Sequence, residues 1–232
     1  MKFPSPLVYG TLIKRYKRFL ADIRLDSGEE LTAHCPNPGA MMGITLPGLR
    51  VALSKASNPD RKLKYSWEMV EVEGTWIGVN TSNPNQIVAG ALSLDCIPEL
   101  TGYKNVKAEV KYGQNSRIDF YLTDGPTQAC LVEVKNVHLI RANNMAEFPD
   151  CVTARGAKHQ LELAEQVKNG IRSVVLYVVQ REDALTFKVA DDLDKAYGVA
   201  SKAAAEAGVE MLAYSCNMDP DGIRLKRRLE VF

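Results

Sequence analysis

Asp119, Glu133 and Lys135 are the residues whose types and spacing suit chemistry. Glu133 and Lys135 stand two apart in ACLVEVKNVHLI, residues 129–140, so on a strand they share a face with Leu131 and Val137. Charges inside so apolar a run are costly unless they are paired or bind something. The turn TDGPTQ, counted with Pro126 at its centre, sets Asp119 of SRIDFYL opposite Glu133. The preceding turn, YGQNS, centred near Gln114, sets Glu109 opposite Asp119, and all three acids then project from one face. Paired carboxylates with no His or Cys beside them are hard oxygen donors, so Asp119 and Glu133 suit Mg2+ or Mn2+ held with waters. A lysine beside such an ion orients or deprotonates a water and offsets charge building on phosphorus, which is what phosphodiester hydrolysis requires. The plain alternative is a Glu133–Lys135 ion pair on a half-solvated sheet. Glu109 has the same alternative in Lys107 or Lys111.

Other residues are candidates to complete such a site. FPDCVTARGAKHQLELAEQVK reads as a helix from about residue 153 to 168, with Asp150 or Thr153 as N-cap and Ala157, Leu161 and Ala164 as its packing stripe. Arg155, Lys158, His159 and Glu162 fall around the other side. Arg155, Lys158 or His159 would reach the scissile phosphate, unless this is simply a solvated helix face. KRYKRF interleaves four cations with two aromatics, the mixture that follows a phosphate backbone and stacks on bases. Strand alternation puts Lys14, Tyr16 and Arg18 on one face and Arg15, Lys17 and Phe19 on the other. NPDRKLKY adds Arg61, Lys62 and Lys64 on a loop. In HCPNPGAM, His34 and Cys35 are neighbours that point to opposite faces and lack a third partner, so that loop is expected to brace the junction between domains. No GxxxxGK[ST], GxGxxG or GxSxG element appears, which argues against a nucleotide-driven enzyme or a serine hydrolase.

These residues need elements to position them. From residue 7 to about 80, six short β-type runs (PLVYGTLIKRY, FLADIRL, EELTAHC, LRVALS, YSWEMVEVEG, TWIGVN) are separated by turn residues, which suits a small OB-like barrel. The period then changes. A helix starting at Asn83 or Asn85 carries Ile87, Ala91 and Leu94 on one side and ends near Pro98. NVKAEVKYG, SRIDFYL and ACLVEVKNVHLI follow as strands, then the helix at 153–168 and the strand RSVVLYVVQ, an α-β-β-β-α-β order. A helix at about 193–207, VEMLAYSC and the tail GIRLKRRLEVF complete the chain, with the tail read as an edge strand. The expected division is 1–82 for the barrel and 83–232 for an α+β / α/β mixed-sheet domain.

With 46% hydrophobic and 25% charged residues in 232, the chain can bury a real core, and 29 Lys and Arg against 28 Asp and Glu leave polyanion binding to local clusters. No apolar run spans a bilayer and the start lacks a signal-peptide core, so no membrane and a cytoplasmic location are expected. Five scattered cysteines without a CxxC pair fit reduced, mostly buried thiols.

RIDFYL followed by LVEVKN resembles the active-site signature of the PD-(D/E)xK nuclease superfamily, with Asp119, Glu133 and Lys135 on the matching positions. More specifically, RYKRFLADI, TAHCPNPGAM, NPDRKLKYSWE, ELTGYKNVKAEV, FPDCVTARGAKH and GVEMLAYSC resemble the sugar fermentation stimulation protein A (SfsA) family over nearly the whole chain. The resemblance implies an N-terminal OB-like domain, a C-terminal nuclease-like domain and DNA binding without marked sequence preference. The DNA is single- or double-stranded, with RNA as a further partner class, and free strand edges permit a homodimer without demanding one. Superfamily members often carry an additional acid on the first core helix, for which Asp95 and Glu99 are the candidates here. The rival reading is a non-catalytic DNA-binding regulator of sugar (maltose-type) metabolism genes, since regulation of sugar use is what the family name records.

Overall fold

In the computed structural model, which describes residues 1–58, 60–112 and 116–232, the six N-terminal runs become β1 (Val8–Tyr16), β2 (Leu20–Leu25), β3 (Glu30–His34), β4 (Arg50–Lys55), β5 (Tyr65–Val72) and β6 (Thr75–Gly78). They pair in the order β3-β2-β1-β4-β5-β6, and a parallel contact of His34 with Ser66 joins β3 to β5. That contact closes five strands into an OB-type barrel and leaves β6 as a hairpin extension. Each strand turns one side inward: Leu12, Ile23, Leu53, Trp67 and Ile77 fill the barrel. The β5–β6 reversal rests on Glu73 and Gly74, both at positive φ (50° and 78°), the conformation a two-residue hairpin needs.

The second unit begins with α1 (Asn83–Ser93) and continues through β7 (Asn105–Tyr112), β8 (Ser116–Thr123), β9 (Ala129–Val137), β10 (Leu139–Ile140), β11 (Met145–Phe148), α2 (Ala154–Lys168), β12 (Arg172–Val179), β13 (Thr186–Val189), α3 (Lys195–Glu206), β14 (Glu210–Asp219) and β15 (Gly222–Val231). Its strands form one mixed sheet ordered β10-β11-β13-β15-β14-β12-β9-β8-β7. β12 lies parallel between β9 and β14 and is buried on both faces, which explains its unbroken run RSVVLYVV. Val132, Val134, Phe120, Leu176 and Tyr214 pack on the α1 side, together with Ala52 and Met69 from the barrel. Leu131, Val175, Tyr177 and Ile118 pack with Leu163 and Ala164 of α2 on the other side.

Several expectations need correcting. Leu94 is not on the packing face of α1: Ile87, Val88 and Ala91 are buried, while Leu94 has become the exposed C-cap. In α2 the buried positions are Gly156, His159, Gln160, Leu163 and Ala164, and Leu161 faces solvent, so the stripe is rotated from Ala157–Leu161. Thr153 is the N-cap, accepting from Gly156 N–H, whereas Asp150 serves elsewhere. ACLVEVKNVHLI is not one strand but two, β9 and β10, broken at His138, and the short β10, β11 and β13 were not expected. The tail is not a plain edge strand either. β15 pairs with β14 along its length and with β13 at its end, because Glu230 and Val231 take Thr186 and Phe187 as parallel partners. All five cysteines are free, and no described helix is long and apolar enough to cross a membrane.

Polar contacts lock barrel and sheet together. Gly78 N–H donates to Gln180 C=O at 2.7 Å, and Lys2 bridges Gly222, so the first residues of the chain lie on the second sheet. The HCPNPGAM loop does brace the junction: Asn37 donates to Val79 C=O, and Met41 N–H donates to Asp150 Oδ2 at 2.9 Å. Gly39 is required beside it, since a Cβ there would lie 2.5 Å from that carboxylate. His138 Nε2 stands 3.3 Å from the same oxygen. Burial would raise the Asp150 carboxyl, but its interaction with the adjacent His138, and then Met41 N–H, bring it down to about 2. Asp150→Ala should cost about 2 kcal/mol, chiefly by removing the carboxylate's interaction with His138 and also by orphaning the buried Met41 N–H. Because the folded value is depressed, this stabilisation is complete above the unfolded value of roughly 3.9 and fades as the pH falls towards the folded one. Acid titration of thermal stability should therefore show the gap between wild type and Asp150→Ala closing towards pH 2. A gap that stayed constant would remove Asp150 as its source.

Candidate active site

The β8–β9 ladder runs from Thr123↔Ala129 to Phe120↔Val132 and stops there. One residue further, a side chain takes over from the backbone: Asp119 Oδ2 accepts Val134 N–H at 2.7 Å. Asp119 Oδ1 accepts the side-chain amide of Asn85, in the first turn of α1, also at 2.7 Å. At the same level β7 breaks its conformation, with Glu109 at φ 56°. β8 changes facing here. Ile118 packs under α2, while Phe120 and Leu122 pack under α1, so the expected single apolar side of Ile118, Phe120 and Leu122 is divided between two layers. Continuing the register does set Asp119 level with Glu133. The β7–β8 register, Ala108↔Phe120 and Val110↔Ile118, likewise sets Glu109 level with Asp119, but Glu109 is exposed, so the buried row of three acids is reduced to two. Gly113–Asn115, at the turn on which its register was counted, lie outside the described residues.

Glu133 is buried at 4% exposure. Its Oε1 accepts from Lys135 Nζ at 2.6 Å and also pairs with His159 Nδ1. Its Oε2 is buried and has no partner among the described residues. Burial works to raise the Glu133 carboxyl, but the His159 hydrogen bond and the Lys135 charge outweigh it and hold the group below the usual range. Asp119 moves the other way: burial and then the Glu133 charge push it up, against the pull of Val134 N–H and Asn85.

A divalent cation fits this arrangement. Glu133 Oε2 is an orphaned buried acceptor, both Asp119 oxygens keep a second lone pair, and the donors are hard oxygens. No group of three or more His, Cys, Asp or Glu in ligand geometry occurs among the described residues. The donor set thus suits an ion that retains much of its water, as Mg2+ does, and not a closed zinc site.

His159, expected on the outer side of α2, is buried and touches Glu133 directly, and Arg155 Nε lies 3.4 Å from its Nε2. Lys158 is exposed and pairs with Glu162 at 3.4 Å, and Glu162 in turn accepts from Ser116 Oγ at 2.5 Å. Glu99 is drawn away to Tyr214 and Arg228, and Asp95 is exposed in the turn after α1, so neither acid joins the site. The first core helix contributes the amide of Asn85 instead. Tyr112 was also missed: its hydroxyl is buried without a partner among the described residues, and burial, then the charges of Glu133, Glu162 and Asp119, raise its pKa. Nothing in the sequence distinguishes it from a packing tyrosine.

The basic run does not alternate as one strand. β1 ends at Tyr16, and Lys17 and Arg18 form a turn with φ 50° and 64°. Lys14 and Tyr16 are tied to Asp22, and Arg15 donates to the carbonyls of Asn37 and Gly39, which makes it part of the interdomain brace. Lys17 and Arg18 are exposed. Burial and then Asp150 push the Cys151 thiol up, while the Arg18 charge acts against them.

Residues 82–222 match the family profile described as the sugar fermentation stimulation protein RE domain, and residues 13–79 match the SfsA N-terminal OB domain. A sugar fermentation stimulation protein homolog from Rhodospirillum centenum is 52% identical over 231 residues, covering 100% of this chain and 99% of the relative. One from Paramagnetospirillum magneticum is 53% identical over 225 residues, covering 97% and 95%. Among solved structures, Pyrococcus furiosus SfsA in complex with Ca2+ is similar with a TM-score of 0.90 and 26% identity, covering 100% of this chain and 99% of that one.

The carboxylate-for-backbone substitution is directly measurable. In Asp119→Ala the Val134 amide should exchange with solvent roughly 10- to 100-fold faster, the kinetic equivalent of one lost charge-assisted bond. The β9 amides bonded to β12 should keep their protection. Unchanged exchange at Val134 would mean that the Asp119 contact does not hold this strand.

Proposed function

The chain belongs to the sugar fermentation stimulation protein (SfsA) family, and on that premise we propose that it binds DNA and hydrolyses phosphodiesters with a divalent cation. The observation that carries this reading is the buried Glu133 Oε2, without a partner among the described residues, next to Asp119 and Lys135. A carboxylate oxygen hidden from water without a donor is costly, and a cation is the partner it lacks. The Ca2+ in the archaeal relative supports a divalent ion in this family, and we assign Mg2+ or Mn2+ as the working ion here.

Asp119 and Glu133 would hold the ion, with Asn85 fixing the first carboxylate and His159 the second. When bound, such an ion supplies charge to a phosphate oxygen and lowers the pKa of a coordinated water. Lys135, held at Glu133 by its 2.6 Å contact, donates to the attacking water and faces the charge that accumulates on phosphorus. Lys17 and Arg18, exposed on the β1–β2 turn, hold backbone phosphates on the α2 side of the site, with Lys14 and Tyr16 behind them. Contacts of this kind carry no sequence preference and weaken with salt.

A second reading has its own observation. Glu133 Oε1 is already paired with Lys135 and in contact with His159, so the cluster is self-sufficient in a DNA-binding regulator of sugar metabolism that does not cut. The two readings separate on labelled single-stranded, duplex and branched DNA and on RNA, incubated with Mg2+, Mn2+ or chelator. Metal-dependent cutting should fall by about 10²- to 10³-fold in Glu133→Gln and Lys135→Ala at equal binding. Binding without cutting on every substrate would give the site to the regulator.

A further inference from the structure

α2 and α3 run side by side in the same direction: Thr153 meets Asp194, Gln160 meets Tyr197, and Val167 lies against Gly208. Their inner faces pack on the sheet. Their outer faces enclose an open groove of about 950 Å³ whose floor and walls are largely apolar, from Ala157, Leu161, Ala196, Val199 and Ala203. Leu161 and Val199 are 53% and 71% exposed among the described residues. Apolar surface of this kind on a helix pair, bordered by charges, marks a protein contact.

The charges at its ends select the partner. Lys158 and Lys195 line the end where both helices begin, and Glu162 and Glu165 line the end towards which α2 runs; within one copy Lys158 pairs with Glu162 at 3.4 Å and Glu165 with Lys168 at 3.2 Å, surface pairs weak enough to be exchanged for pairs across a contact. On α2, Lys158, Leu161 and Glu165 fall on one face at spacings of three and four. Leu161 is therefore the midpoint between a basic and an acidic end. A surface built in this way is complementary to itself when turned end for end: a two-fold axis at Leu161 and Val199 sets each basic end against the other copy's acidic end. Packing in the same direction would instead juxtapose like charges. We propose that a second copy of this chain docks on the α2–α3 face, forming an antiparallel four-helix contact with Leu161 and Val199 at its centre.

Sedimentation equilibrium of the full chain across micromolar concentrations tests this. Wild type should approach twice its chain mass of 25.6 kDa, and Leu161→Glu and Val199→Glu should each sediment as folded monomers. Both positions face solvent in a single copy, so thermal stability at low concentration should be unchanged. Glu165→Lys should weaken the dimer by roughly tenfold, and adding Lys195→Glu to the same chain should restore it. Three outcomes overturn the proposal: a wild type that stays monomeric, a dimer indifferent to Leu161→Glu and Val199→Glu, or failure of the second charge reversal to rescue the first. A monomeric wild type would leave the groove to a different protein.

Discussion

A strand pair that stayed zipped would have no room for a site. At Asp119 the β8–β9 ladder gives way, and a carboxylate does what the neighbouring strand's backbone does elsewhere, accepting Val134 N–H. This single bond solves two problems. It satisfies a backbone donor that the parting strands would otherwise strand in a low-dielectric interior. It also fixes a negative group level with Glu133, since the donor belongs to the next residue along. A neutral partner would meet the first need and not the second.

The charge economy around that bond is close to self-balanced. Among the described residues Asp119 accepts from two neutral donors, Asn85 and the Val134 amide, and burial and the Glu133 charge outweigh them, so its pKa rises. Glu133 has Lys135 and His159, and its pKa falls. Two carboxylates set close together and held in opposite directions are an arrangement that a purely structural salt bridge does not need. The lysine and histidine crowd one oxygen of Glu133, and the other has no partner among the described residues. An ion pair optimised for stability alone would distribute its donors over both.

Much of this was legible in the sequence because hairpin counting and face alternation are local rules. A Gly-Pro turn and two short strands are enough to bring Asp119 level with Glu133, and six β-type runs are enough to suggest the barrel. The failures have physical causes. In α2 the phase was set by Ala157 and Leu161, the obvious apolar residues, but the buried face carries His159 and Gln160, whose burial depends on partners elsewhere in the chain. Gln160 donates to the hydroxyls of Tyr177 and Tyr197, which also bond each other at 2.7 Å. A polar residue buried by a distant network looks like a surface residue in one dimension. Asn85 was invisible for the same reason, as its role exists only once β8 reaches the N-terminus of α1. In β8, regular alternation hid the change of facing at Asp119, because a local backbone irregularity leaves no compositional mark.

The first turn of α1 explains why barrel and site belong to one chain. Asn83 donates to Glu68 Oε2 at 3.0 Å, and Asn80 donates to the same oxygen from the segment just before the helix. Glu68 is a buried barrel carboxylate whose other oxygen accepts from Ser54. Two residues beyond Asn83, Asn85 holds Asp119. One helical turn therefore grips a barrel carboxylate on one side and a site carboxylate on the other. Since a helix transmits displacement rigidly over so short a span, moving β5 relative to the sheet must move the amide that orients Asp119. Under the proposed function, nucleic acid on the barrel and a phosphate at Glu133 would be mechanically linked through those few residues, and the polar brace from Arg15 through Asn37 to Asp150 restricts the same relative motion.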